Sequence, residues 1–444
     1  MFLFMKAKLQ YATKIKPFWH TLAWTSMALV LNTQAYANEK TQTLSLEKSI
    51  QIGIAQTPEM KAAIAQIGMQ QGKITQATTW ANPNVSLQAD NLLGIEDTSG
   101  GYNFTEIAVS QAIPMFRAAK QQQQAELGVA KAEAMLQLQQ LQLEYRIAQA
   151  FYDLQRKQAS LRLSKSRLFE IKQHQRTKAS KNDPLVRYLT PLEVMRLDIA
   201  LQTAQQQVAQ AEGLFHESSL SFKALLGLPL EQVLIVPVLK SIAMPYKRST
   251  IDTALEQHPS LQANRQAIAE AEAGIAVAKA ERFADPVVTL FVRNEFLAGQ
   301  KDTVTGLVVS MDVPLWNQNK GGVSQAQYRT QLHQADLQAT QRDLQANVDK
   351  SFLHVSHLTE QSNHYQAKVL KPAKKMLRLT HQAFDVGELS VLNLIDAYNT
   401  SFDAQDTYIQ MLASAWQELA LLRFNAGISV IGYSQATPQL EKTQ

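Results

Sequence analysis

No cysteine occurs in the 444 residues. A chain without one forms no disulfide and offers no thiolate to a metal. It also lacks the acceptor residue of a lipoprotein anchor. Long apolar runs are missing too. The best candidate, Leu22–Leu31 (LAWTSMALVL), is too short for a transmembrane helix, which needs about 20 residues. Any crossing of a membrane by this chain would therefore not use helices. Glycine and proline are sparse, at 17 and 14, while alanine, glutamine and leucine abound, the balance of long helices. Charge of neither sign dominates: the formal net charge is +5, much of it from Lys6, Lys8, Lys14 and Lys16, and nothing points to nucleic acid. There is no serine nucleophile elbow, P-loop or HExxH. No enzyme and no cofactor are expected.

What is present begins with those four lysines. An apolar stretch follows them, then AYANEK, with Ala35 and Ala37 placed as an A-x-A cleavage site. This is the pattern of a secretory signal peptide over 1–37, with a mature chain from Asn38.

The rest is written twice. TEIAVSQAIPMFRAAK at Thr105 and TGLVVSMDVPLWNQNK at Thr305 share five identical positions. TPEMKAAIAQ at Thr57 pairs with HPSLQANRQA at His258, and ANPNVSLQADN at Ala81 with ADPVVTLFVRN at Ala284. LTPLEVMRLDIALQTAQQQ at Leu189 pairs with LSVLNLIDAYNTSFDAQDT at Leu389. The offset stays at 200 to 203 residues, too long for a solenoid repeat. We divide the chain into a signal peptide (1–37), a first repeat (38–229), a linker (230–250), a second repeat (251–428) and a tail (429–444). Within each repeat the predicted order is helix, strand, strand, long helix, turn, helix. The opening helices are expected from about Ser45 to Trp80 and from Asp252 to Phe283, each stopped by an Asn-Pro or Asp-Pro pair.

The strands alternate. Val85, Leu87 and Ala89 face one way, and Ser86, Gln88 and Asp90 the other. Val288, Leu290 and Val292 oppose Thr289, Phe291 and Arg293. In the returning strands Ile107, Val109 and Ile113 match Leu307, Val309 and Val313, while Glu106 and Ser110 match Gly306 and Ser310. Two Gly-rich segments, LLGIEDTSGGYN and FLAGQKDT, read as the hairpin connections. No proline interrupts Met115 to Asp183, so a helix of unusual length is predicted. It carries two apolar seams, one through Ala134, Leu138, Leu141, Tyr145, Ala148 and Tyr152 and one through Ala132, Leu136, Leu143, Ile147, Ala150 and Leu154. Two seams imply two neighbours.

Strands of about ten residues with one apolar and one polar face fit a transmembrane β-barrel. Four strands cannot close one, and an open edge in lipid leaves backbone groups unpaired. The strands must therefore close with those of sister chains. A small soluble sheet capping the helices is the alternative.

Here the sequence resembles the TolC-like outer-membrane efflux channel family over almost the whole mature chain. The resemblance rests on the duplication, on SQAIPMF and SMDVPLW, on ALLGLP at Ala224 to Pro229, and on AFDVGELSVLNLIDAYNT at Ala383 to Thr400. The ANPNVSLQADNLLG block most resembles the heavy-metal cation (CzcC-like) branch. The resemblance implies a mostly α fold with a small β portion. It implies a homotrimer whose twelve-stranded outer-membrane barrel, four strands per chain, continues as a long periplasmic α-helical barrel. It implies a Gram-negative outer membrane as location, and as partners a periplasmic adaptor (membrane fusion) protein and an inner-membrane RND transporter. The expected role is passive exit of heavy-metal cations. Multidrug efflux or type I secretion is an alternative within the class, and a soluble periplasmic coiled-coil adaptor one outside it.

The family pattern also implies a gate at the periplasmic tip. Asp396 matches an acidic position there and Gly387 the turn glycine. Asn393 stands where a second acid is common, and Leu389 where some members carry arginine. Glu193 and Arg196 are the first-repeat equivalents, so Asp396 and Glu193 are the gate candidates. Phe116 and Trp316 follow the strand-ending prolines and are expected near the membrane interface. One further cluster, His354, His357, Glu360 and His364, has helical spacing that could offer imidazoles to zinc or copper.

Overall fold

The computed structural model describes residues 43–90, 104–177, 189–297 and 300–432. The signal peptide, the first hairpin connection and most of the tail lie outside the described residues. So do Ala298 and Gly299 of the second connection.

Each half begins with two helices. In the first, α1 (Leu46–Gln56) is capped by the Ser45 side chain, which accepts from the Lys48 N–H, and α2 (Pro58–Thr78) follows at once. In the second, α5 (Arg248–Glu256) precedes α6 (Pro259–Ala280). The sequence led us to expect a single helix at each place. The breaks come from Pro58 and Pro259. Each proline starts a new helix at a position needing no N–H, and each forces the residue before it out of the α region. Thr57 (φ −70°, ψ 139°) and His258 (φ −55°, ψ 131°) are both extended.

Strands β1 (Asn84–Asp90), β2 (Phe104–Ala112), β3 (Val287–Leu297) and β4 (Gln300–Ser310) form one antiparallel sheet in the order β1-β2-β3-β4. The β2–β3 ladder joins the two halves, from Phe104↔Glu295 to Ala112↔Val287. The outer edges of β1 and β4 pair with no other described strand.

The remaining helices form a long layer below the sheet. Helix α3 (Ala118–Thr177) has 60 residues, about 90 Å at 1.5 Å per residue. Leu136, Leu143, Ile147 and Leu154 along one seam are buried, as are Ala134, Leu141, Ala148 and Tyr152 along the other. The two seams serve more neighbours than expected, because α3 packs on α2, α4 (Pro191–Leu226), α6 and α9 (Val391–Ala426). Helix α7 (Lys320–Tyr365) runs into α8 (Lys371–Asp385) through a π-helical turn at Gln366–Leu370. Pro372 accounts for that turn: it cannot supply the next N–H, and widening the turn spares its ring a clash.

Helices α4 and α9 end alike, on the left-handed glycines Gly227 (φ 71°) and Gly427 (φ 74°). The connection after Gly227 is extended rather than helical, and it is not loose. Ile235 accepts a hydrogen bond from the Leu44 N–H at 2.8 Å, Val236 and Ile242 are buried, and the Trp416 indole donates to Lys240 O at 2.9 Å. The connection joins the cores of the two halves.

Candidate functional site

The sheet register aligns the alternating faces. One row runs Val85–Val109–Leu290–Leu307 and the next Leu87–Ile107–Val292–Thr305. Every apolar member is exposed, with Leu87 at 72% and Leu290 at 59%. One row further from the helices three of the four residues are polar. Ala89, Thr105, Asn294 and Thr303 stand there, and Thr303 donates to Asn294 Oδ1 at 2.8 Å. A bounded apolar band facing outward would be costly in water and suits hydrocarbon.

The opposite face carries the polar residues, with Val304 and Val308 of β4 exposed among them. Ser110 and Thr289 exchange a hydroxyl bond at 2.8 Å. Arg293 donates twice to Glu106 Oε2, at 3.0 and 2.8 Å, and once to Glu295 at 3.1 Å. Strand parity alone places Glu106 and Arg293 on one face. Their pairing needs the β2–β3 register, which no single strand encodes, and the sequence reading missed it.

At the foot of the sheet the aromatics of the two repeats differ. Phe116 is 37% exposed and its ring lies 5.4 Å from that of Phe283. Trp316 is 93% exposed, within a stretch where Met311, Val313 and Leu315 are exposed as well. Asn319, in a left-handed conformation (φ 52°), donates to Ala278 O and fixes the start of α7.

The far end of the helical layer brings together the turns of both repeats. Thr190 and Glu193 form a reciprocal capping box on α4, and Ser390 and Asn393 form the same box on α9. The acid-to-amide difference between repeats thus falls on residues with one local task. Glu193 does more, since its second carboxylate oxygen reaches the Val391 N–H at 3.5 Å, at the positive end of α9. Gly387 (φ 85°) closes α8, with its N–H on Phe384 O and the Glu388 N–H on Ala383 O. Asp396 is exposed, while Leu394 and Tyr398 beside it are buried against Phe384, Leu197 and Phe402.

Above that apolar knot sit groups that no sequence motif marks. Burial raises the Glu170 carboxyl above its usual range, although His381 and the Tyr398 hydroxyl pull it down. His381 itself meets Asp385 at 3.0 Å. Arg167 donates to Gln207 at 2.9 Å and to Asn399, and its guanidinium lies 5.4 Å over the Phe402 ring. These contacts tie α3 to α4, 40 residues on, and to α8 and α9, more than 200 residues on.

The histidine cluster does not assemble. His354 pairs with Glu418 on α9 at 3.3 Å, while His357, Glu360 and His364 are exposed. Among the described residues no group of three or more histidines and carboxylates is placed to hold a metal ion.

Residues 250–427 match the family described as outer membrane efflux protein. The cobalt-zinc-cadmium resistance protein CzcC of Cupriavidus metallidurans is 23% identical over 163 residues, 37% of this chain and 38% of CzcC. That alignment spans well under half the length of the curated relative. Among solved structures, the outer membrane protein VceC of Vibrio cholerae matches with TM-score 0.66 at 15% identity, over 86% of this chain and 96% of its own. The MtrE outer membrane channel of Neisseria gonorrhoeae, in its open state, gives 0.67 at 17%, over 87% and 90%. CusC gives 0.67 at 16%, over 89% and 95%. At such identities the likeness is one of fold, and the fold is that of outer-membrane channels.

Proposed function

We propose that this chain, a member of the outer membrane efflux protein family through its second half, is the outer-membrane exit duct of a tripartite efflux system. Three copies join β4 to β1 into a twelve-stranded barrel, and their helical layers continue it into the periplasm. The duct is passive. Cargo reaches it from an inner-membrane RND transporter through a periplasmic adaptor. The observation that carries this reading is the outward apolar band on a sheet whose two outer edges pair with no described strand. A soluble coiled-coil adaptor has no use for that band. Heat-resistant trimers in detergent extracts of the outer membrane are the expected result, and a water-soluble monomer would overturn it.

Heavy-metal cations are the cargo we favour over drugs or a secreted polypeptide. The likeness to CzcC, named for cobalt, zinc and cadmium resistance, supports that choice. A deletion strain should become sensitive to zinc, cobalt or cadmium salts and keep its tolerance of drugs. The reverse pattern would assign the duct to multidrug efflux.

The tip is the proposed gate, with Asp396 on its exposed surface and Glu193 tying the two turns together. In a trimer Asp396 becomes a ring of three carboxylates, which attracts cations. Asp396→Ala should lower the cation-over-anion permeability ratio of single channels. An unchanged ratio removes Asp396 from the gate.

A further inference from the structure

The polar face of the sheet carries one large aromatic in mid-strand, Phe291, and it lies flat. Its register partners are Ala108 on β2 and Gly306 on β4. Ala108, the β2 partner of Phe291, is only 4% exposed. A Cβ added to Gly306 would meet the Phe291 ring at 2.4 and 2.6 Å, well inside van der Waals contact. The ring therefore covers the floor that a glycine leaves open. Its other side is covered as well. The Arg293 guanidinium lies 5.2 Å over the ring centroid, and Glu106 and Glu295 pin that guanidinium from two strands.

We propose that Phe291 sets the bore of the barrel and that Gly306 and Arg293 hold it in the wide state. This rests on the duct reading above, which makes the polar face the lumen. A phenyl ring is too large to be indifferent in a pore whose neighbouring positions on this face are the smaller Ser86, Ser110, Thr289, Val304 and Val308. Stood upright from three chains, it would narrow the passage with a ring of apolar edges and add a hydrophobic constriction to ion flow. Pressed onto Gly306 it leaves the passage clear. The space comes from the missing side chain at Gly306, and the orientation comes from the cation–π contact. Aromatic–glycine pairs also stabilise sheets, but that role needs no clamp of one arginine and two carboxylates. The clamp of Gly306 and Arg293 on Phe291 therefore keeps the bore clear, and releasing the ring narrows it.

Unitary conductance in planar bilayers of purified trimer tests this in potassium chloride. Phe291→Ala should leave conductance unchanged, since the ring already lies out of the way. Gly306→Val displaces the ring and should lower conductance by roughly a quarter to a half, as expected when three rings enter a bore enclosed by twelve strands. Arg293→Gln releases the ring without touching the backbone and should lower it too, so the test does not depend on the valine variant assembling. Adding Phe291→Ala to either variant should abolish the loss, because the coupling belongs to the pair. A loss that persists in both double variants, or no loss in Arg293→Gln, overturns the proposal while leaving the duct intact. A wild-type protein that forms no channel sinks the duct reading, and this inference with it.

Discussion

Two buried polar residues show how single side chains fasten the C-terminal end of α9. His258 is 1% exposed. Its Nδ1 accepts from the Ser260 N–H at 3.1 Å and caps α6, and its Nε2 faces Phe424 O at 3.1 Å. This requires the neutral ring with its proton on Nε2. Burial lowers the His258 pKa from the ordinary 6.5, and the Phe424 carbonyl only partly offsets it. A lowered pKa means that His258 contributes stability above 6.5. As the pH falls below that value the unfolded chain gains a proton that the folded chain refuses, and stability drops. The melting temperature of the protein should fall between pH 8 and pH 5.5, and fall less in His258→Asn. An identical slope in both would contradict the role. Glu144, 2% exposed, is the second case. It accepts from Gln140 at 2.9 Å, Ser429 Oγ at 2.7 Å and Val430 N at 2.8 Å, and so fastens the chain beyond α9 to the middle of α3. Glu144→Ala leaves buried donors unmade, at a cost of about 1–3 kcal/mol. Faster hydrogen exchange at the Val430 amide should report it.

At the scale of elements, the two faces of the sheet should respond oppositely to charge. Leu290 lies in the apolar band and Ser86 on the polar face. Leu290→Lys should cost about 2–4 kcal/mol near mid-membrane and deplete folded trimer from the outer membrane. Ser86→Lys should assemble normally. Equal depletion by both would deny the sheet its lipid contact. The faces were legible in the sequence because strand parity is a period of two, readable from Val85-Ser86-Leu87 alone. The register was not, because it depends on a partner strand: nothing local says that Glu106 meets Arg293 or that Phe291 lies on Gly306. Helix breaks fell between these cases. The proline signals at Pro58 and Pro259 were present, but the apolar pattern runs on through them and hid the breaks. At the tip, Gly387 and the repeated capping boxes can be read from single turns. The contacts of Glu170, Arg167 and Glu193 with residues of the other repeat depend on tertiary packing, and sequence pattern does not carry them.

At the scale of the whole molecule, closure of the barrel can be tested with a tool that the missing cysteines supply. In one chain β1 and β4 are separated by β2 and β3. Three strand spacings of about 4.8 Å place them roughly 14 Å apart along the sheet. A disulfide needs Cα atoms within about 7 Å, so one cysteine on β1 and one on β4 cannot join within a chain without breaking the ladder between. In the proposed trimer the same two edges lie side by side, from neighbouring copies. A scan pairing one cysteine between Asn84 and Asp90 with one between Asp302 and Ser310 should therefore find a register that oxidises. The product must be covalent dimers and trimers and nothing longer, because three copies of four strands close the ring. A ladder continuing past three would mean an open, head-to-tail assembly. No cross-link in any register would mean that the edges do not meet, and the apolar band would then need another cover.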